Sequence, residues 1–283
     1  MAPVQRDNAL TIGHLSERTG VPPATLRSWE SRYGFPRPTR LAAGHRRYAE
    51  ADVAAVLEVL RHRDAGLALE AAVRRATVEP LRSRSVHAEL RRRYSELTPQ
   101  LLSKTSLLAI SQAIEDECCA RAEEPLLFGG FQRDAFLRAS QARWVELART
   151  ARAAVIFADI AAPQPPRPGV PIEVALPRGA PLNREWIVVC DAPDLPACLA
   201  AVERPGQDRV PDSQRRFEAV WTVDPQAVRH ASRVAMALAV EYRPELCSAE
   251  LAVPDDEPPT ASADLRRASD LMNRMMGYLD DRH

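Results

Sequence analysis

Lysine is almost missing from this chain: of its 38 basic residues every one except Lys104 is arginine, a compositional habit expected of a GC-rich genome rather than of a special function. Histidine is also scarce. Six are present, and beyond residue 80 only His87, His230 and His283 remain, which poorly supplies a histidine-dependent nucleophile or metal site. The five cysteines form an odd set without paired metal spacing, which argues against a disulfide framework and against zinc. No apolar run is long enough to cross a bilayer, and the N-terminus lacks a signal-peptide pattern. The expectation is a cytoplasmic protein with reduced, buried thiols.

What is present suits two modest domains: 283 residues exceed the usual single-domain size, and 46% hydrophobic content allows ordinary cores. The formal net charge of zero hides a polarity. Residues 1–100 carry 17 arginines against 11 acids, a net of +6, and the remainder carries 21 basic residues against 27 acids, a net of −6. The first part can attract a polyanion that the second would repel.

Residues 10–48 hold the densest pattern. Thr11 is placed to cap a helix whose inward face is Ile12 and Leu15, and Gly20 ends it. Pro22 and Pro23 open a second helix, where proline in the first turn costs no hydrogen bond. On a helical wheel Leu26, Trp29 and Tyr33 share one side, with Ala24, Arg27, Ser28 and Ser31 opposite and Arg32 at the edge. Arg40, Gly44, His45, Arg46 and Arg47 then form a basic turn before Tyr48. Small residues beside arginines suit a DNA groove, and such a turn can follow a phosphate backbone. Trp29 and Tyr48 read as packing residues. Glu30 cannot attract phosphate and is expected to pair with an arginine.

The segments TIGHLSERTGV (11–21), TLRSWE (25–30) and GHRRY (44–48) resemble the DNA-binding domain of the MerR family of bacterial transcription regulators. The resemblance implies a winged helix-turn-helix, with Arg27 and Ser28 meeting the major groove and Thr25 and Arg32 as further DNA-binding positions. It further implies Arg40, Arg46 and Arg47 at phosphates and His45 at the wing tip. Ser28 departs from the tyrosine common in the family. The partners implied are double-stranded promoter DNA, RNA polymerase and a second copy in a homodimer, with bacterial nucleoid association.

After the wing, Val53, Val56, Leu57 and Leu60 mark an amphipathic helix, and a shorter one follows around residues 69–76. Pro80 interrupts. Val86, Leu90, Tyr94 and Leu97 then mark a helix of a few turns that Pro99 ends, in place of a long dimerising coiled coil. Leu107, Ile110, Ile114 and Cys118 form a further stripe. The strand candidates are PLLFGGF, AAVIFADI, PIEVALP, EWIVVCDA and FEAVWTVD, with helices over residues 132–152 and 225–240. Gly129 and Gly130 suggest a turn or bulge. The fold class expected is α+β: a mostly helical winged unit over 1–78, a connecting helix or linker over 79–101, and an α/β domain with a mixed sheet over 102–253. A flexible acidic linker over 254–263 and an amphipathic helix over 264–283 complete it, the last with Leu265, Met272, Met275 and Leu279 seeking a partner.

Residues 106–117, 128–151, 184–194 and 215–228 resemble the DICT domain of bacterial signalling proteins, which implies a sensory role. Trp144, Trp186 and Trp221 are the expected lining of a pocket for a small-molecule effector; no cofactor is named. Cys190 beside Asp191, the acids Glu115, Asp116 and Glu117, and Asp159 lack partners at catalytic spacing, so no enzyme is expected and Cys190 reads as a core thiol. The reading is a sequence-specific regulator. Its rivals are an architectural or excisionase-like DNA protein and a partner-binding signalling protein with a DNA-targeting segment.

Overall fold

The computed structural model describes residues 10–40, 46–77, 83–207, 209–246, 251–254 and 256–280. The chain divides into two units, residues 1–80 and 81–283.

In the first unit, α1 (Ile12–Thr19) starts where the Thr11 hydroxyl accepts the His14 N–H at 3.3 Å and stops at Gly20, whose φ of 71° suits a residue without Cβ. Helix α2 (Pro23–Tyr33) ends the same way at Gly34, φ 62°. Strands β1 (Thr39–Arg40) and β2 (Arg46–Arg47) pair antiparallel as the wing. Helices α3 (Glu50–Asp64) and α4 (Leu69–Thr77) close the unit. Leu15, Val21, Leu26, Trp29, Phe35, Tyr48, Val53, Val56 and Val59 form its core. On α3 the buried stripe runs through Val59, and Leu57, expected inside, is 40% exposed at its margin.

The second unit is a seven-stranded mixed sheet with helices on both faces. Its elements are α5 (Val86–Arg93), β3 (Gln100–Ser103), α6 (Lys104–Ile114), β4 (Leu126–Phe131), α7 (Asp134–Thr150), β5 (Ala153–Ala158) and β6 (Ile172–Ala175). They continue as β7 (Glu185–Asp191), β8 (Ala197–Glu203), β9 (Arg216–Thr222), α8 (Pro225–Tyr242) and α9 (Ala263–Asp280). The strand order is β3-β9-β8-β7-β4-β5-β6. Strands β4, β5 and β6 run parallel, and every other neighbouring pair is antiparallel. Alternation along each strand separates two cores: Phe128, Val155, Phe157 and Val189 pack toward α5 and α8, while Leu127, Ile156, Val188 and Leu199 pack toward α6 and α7.

Several expectations are corrected. Helix α5 is no connector: Val86 and Leu90 are fully buried in the second unit, and Tyr94 donates its hydroxyl to the Gln226 carbonyl at 2.9 Å. Residues 100–103, expected in part as linker, form edge strand β3. Strand β8 was not anticipated, because its alanines favour helix in isolation; between β7 and β9 their small size fits a buried central strand. Gly129 and Gly130 lie in unbroken register with β5 and β7 rather than in a turn or bulge. A Cβ on Gly129 would stand 2.6 Å from the Trp144 ring, so glycine is needed for the close approach of α7.

The stripe on α6 passes through Leu107, Ile110 and Ile114 but then reaches Cys119, not Cys118. One turn of π-helix over Glu115–Cys119 adds a residue and rotates the following side chains. Residues 254 and 256–263 are tied down: Arg229 and Arg233 donate to the Pro254 carbonyl, Gln226 to Thr260, and Ala261 is buried. Helix α9 docks, though by a face adjacent to the one expected. Asn273 and Asp280 are buried, and the Asp280 carboxylate accepts from the Ser103 N–H and hydroxyl, the Ser106 hydroxyl and Arg216. Leu271, Met272, Met275, Tyr278 and Leu279 all remain more than half exposed.

Candidate nucleic-acid interface

The recognition surface of the first unit is fixed from behind by a small apolar core. Leu26 and Trp29 are buried on one side of α2, and Trp29 stacks on Phe35 with ring centroids 6.4 Å apart. The helical period therefore turns Arg27, Ser28, Ser31 and Arg32 to solvent, with Thr25 half-buried at the margin. Arg27, Ser28 and Arg32 have no hydrogen-bond or ion-pair partner among the described residues, so their donors face outward unspent.

The wing is fastened to this helix. Arg46 donates its Nε to both oxygens of Glu30, at 3.0 and 2.9 Å, which fulfils the pairing expected for Glu30. The Arg46 guanidinium, expected at phosphates, is thus partly occupied in holding the wing. Arg47 donates to the Arg46 carbonyl at 3.1 Å. Reciprocal backbone bonds between Leu10 and Tyr48, 2.7 and 2.9 Å, anchor the returning strand. Tyr48 is fully buried, and burial pushes its phenol up, away from ionisation. An Arg18 to Glu50 ion pair links α1 to α3. Arg40 lies in β1 opposite Arg46, and His45 and Gly44 lie outside the described residues.

In the second unit the three tryptophans belong to one core. Trp144 is buried, donates to Glu115 at 3.3 Å and meets Phe131 edge-on; Trp186 donates to the Ser111 hydroxyl at 2.8 Å and meets Phe217 edge-on. Trp221 packs against the same cluster with its Nε1 buried and unpartnered. None of the three lines either cavity of this unit described below. The acidic candidates have structural partners: Asp116 and Glu115 with Arg143, and Asp191 with Arg229 at 2.8 Å. Cys190 is wholly buried.

One cavity, of about 410 Å³, lies between β3 and α9 and is lined by Gln100, Leu101, Arg274, Gly277 and Tyr278. The other, of about 230 Å³, is lined by Arg133, Arg184, Glu203, Arg204, Gly206, Gln207 and Arg215. Sequence inspection missed the second because its arginines are scattered across 83 positions and meet only when the strands are laid side by side.

A winged helix-turn-helix with an open basic face on α2, and a mixed-sheet unit with its own cavities, define a two-module chain of the winged helix-turn-helix class. Residues 10–77 match the model for the MerR HTH family regulatory protein, and residues 84–204 match the sensory domain in diguanylate cyclases and two-component systems, DICT. The chain thus joins a MerR-family helix-turn-helix domain to a DICT sensory domain. Residues 211–283 also match the C-terminal domain of a two-partite extracellular sensor domain, although β9 from that segment lies between β3 and β8 in the same sheet.

Among known proteins, the chain is 39% identical over 87 residues to the HTH-type transcriptional repressor CarA of Myxococcus xanthus, covering 30% of each chain. It is 33% identical over 107 residues to the repressor CarH of the same organism, 37% of this chain and 35% of that one. It is 39% identical over 57 residues to the HTH-type transcriptional regulator MlrA of Escherichia coli K12, 20% of this chain and 24% of that one. The matches span about a third or less of these relatives, all named as transcriptional regulators. No helix among the described residues is long and apolar enough to cross a membrane.

Proposed function

We propose that this chain is a sequence-specific transcriptional regulator in which α2 reads promoter DNA and the second unit senses a small ligand that alters promoter binding or distortion. The observation that carries the reading is the open face of α2: Arg27, Ser28 and Arg32 are exposed and uncommitted, and the Glu30–Arg46 pair sets the wing beside them. Arg27 supplies base-edge contacts, Thr25, Ser28 and Arg32 support them, and Arg40, His45, Arg46 and Arg47 serve the phosphates and the wing tip. The +6 balance of the first hundred residues favours this polyanion.

Reading an inverted repeat requires two copies, and RNA polymerase is the machinery such a promoter complex meets. The outward face of α9 suits self-association. Its exposed apolar side chains, Leu271, Met272, Met275, Tyr278 and Leu279, form a patch that a second copy can cover. Acids and arginines alternate around that face as Asp264, Arg266, Arg267, Asp270 and Arg274, so a second copy meets no uniform like charge. Met275→Asp should give a monomer mass by light scattering with unchanged circular dichroism; an unchanged dimer mass would remove α9 from the interface.

Selection of bound genomic DNA followed by footprinting tests the core of the reading. A protected inverted repeat overlapping a promoter is the expected result, with Arg27→Ala relaxing base choice and Arg47→Ala weakening all sequences alike. Diffuse, salt-sensitive binding without a footprint would instead favour the architectural or partner-binding alternatives.

A further inference from the structure

The cavity of about 230 Å³ lies at one end of the second unit's sheet, where four neighbouring strands deliver their terminal residues. Arg133 follows β4, Arg184 precedes β7, Glu203 closes β8 with Arg204 just after it, and Arg215 precedes β9. The antiparallel pairings of β4 with β7, β7 with β8 and β8 with β9 place all four positions at the same end. Four guanidinium groups therefore face one carboxylate among the described lining residues, inside a half of the chain whose overall charge is negative.

The deepest of the four is built in. Arg215 is 8% exposed, and its Nε is buried with no hydrogen-bond partner among the described residues. Glu203 holds the other side of its guanidinium, 3.4 Å from Nη1, while accepting from Gln132 at 3.2 Å. The loop forming the rim is also braced. The Gln207 amide donates to the Arg204 and Arg216 carbonyls and accepts the Arg216 N–H at 2.8 Å, and Gly206 turns the chain at φ 79°. Arg184 donates to the Glu203 carbonyl at 2.9 Å, leaving the rest of its fork available. Burying a guanidinium with an unspent donor costs free energy unless an acceptor arrives.

We propose that this cavity is an oxyanion site for the phosphate group of a small molecule, and that it is where the second unit takes its signal. The formal excess of three positive charges suits a doubly charged phosphate better than a single carboxylate, and guanidinium forks match its oxygens bidentately. The volume accommodates a phosphate or pyrophosphate group, not a whole drug-sized ligand. With no aromatic among the described lining residues to stack a base, recognition is of the charged head. The signalling role rests on the regulator reading above; phosphate binding itself does not.

The test uses the full chain in calorimetry at physiological salt, with inorganic phosphate, pyrophosphate, glycerol 3-phosphate and, as the carboxylate comparison, citrate. Saturable binding of a phosphate-bearing probe, weakened about tenfold or more by Arg204→Ala or Arg133→Ala and unchanged by Arg178→Ala outside the cavity, is the expected result. Arg204 and Arg133 are exposed, so their loss leaves the fold intact and keeps the test independent of the buried Arg215. Tighter binding of free phosphate than of glycerol 3-phosphate would identify the ion itself as the ligand; the reverse order would identify a phosphorylated metabolite. No saturation by any phosphate probe, preference for citrate, or equal loss in Arg178→Ala overturns the site. A parallel DNA titration separates the two readings: phosphate binding that leaves operator affinity and promoter distortion unchanged preserves the site and defeats its signalling role.

Discussion

The two units place their charges in opposite ways. In the first unit, the buried residues among those described are apolar apart from Thr19, and the arginines of α2 stand outside. In the second, charged groups are drawn inward: Asp191 with Arg229, Glu185 beneath α5, Arg243 against the Glu173 carbonyl, and Asp280 at the sheet edge. The first unit keeps the cations of α2 uncommitted, as the proposed meeting with a polyanion requires, whereas the second, with its two cores, spends ionic groups on fixing its own segments. The lesson is that an arginine's function depends on whether the fold has already supplied its counter-charge.

The largest break in that contrast should come from Arg229→Ala. It leaves the Asp191 carboxylate buried and unpaired and frees residues 254–256, so urea unfolding of the second unit should lose about 3–5 kcal/mol. A loss below about 1 kcal/mol would show the pair to be solvated in practice. Gly129→Ala comes next, at about 1–3 kcal/mol, because the added methyl drives into the rigid Trp144 ring. The same measurement on Gly206→Ala would report backbone strain without a clash, since no atom lies within 4 Å of its Cβ position.

Proton linkage sharpens the comparison further. Burial pushes the Glu185 carboxyl up to about 7 from an ordinary 4.5, although the Ser85 hydroxyl and the Val86 and His87 N–H groups favour its charged form. Between those values the folded state holds a proton that the unfolded chain has released. This group's stabilisation is therefore complete below about 4.5 and is lost as pH rises through about 7. Glu185→Gln should flatten that part of the second unit's stability profile; an unaltered slope would assign it elsewhere. The smallest effect belongs to Glu30→Ala. Its pair with Arg46 is partly exposed and contributes less than about 1 kcal/mol, so stability should barely change while affinity for all DNA sequences shifts as the wing loosens.

The first unit was legible because local rules and the final structure agree. Thr11, Gly20, Pro23 and Gly34 punctuate the helices where their chemistry predicts, and Leu26 and Trp29 fix which face of α2 is free. The mixed sheet was legible wherever β-branched and aromatic residues made the strand, as in β5 and β7. It was hidden where burial overrode propensity, as in the alanines of β8, and where one turn of π-helix exchanged Cys118 for Cys119. Helix α9 misled for a different reason. Its apolar stripe was visible, but donors from Ser103, Ser106 and Arg216 on Asp280 determine which side faces the sheet. The arginine cavity had no linear signal at all, because strand pairing alone gathers Arg133, Arg184, Arg204 and Arg215.

The pairing of β8 with β9 bears on how such a sensor can be inherited. The two family descriptions meet between residues 204 and 211, yet six residue pairs join the strands on either side. A genetic exchange at that seam would hand each descendant an exposed sheet edge and part Arg215 from Arg133, Arg184 and Arg204. The portable cassette is instead the second unit as a whole, and recombination that respects it can exchange the helix-turn-helix while leaving the sheet intact.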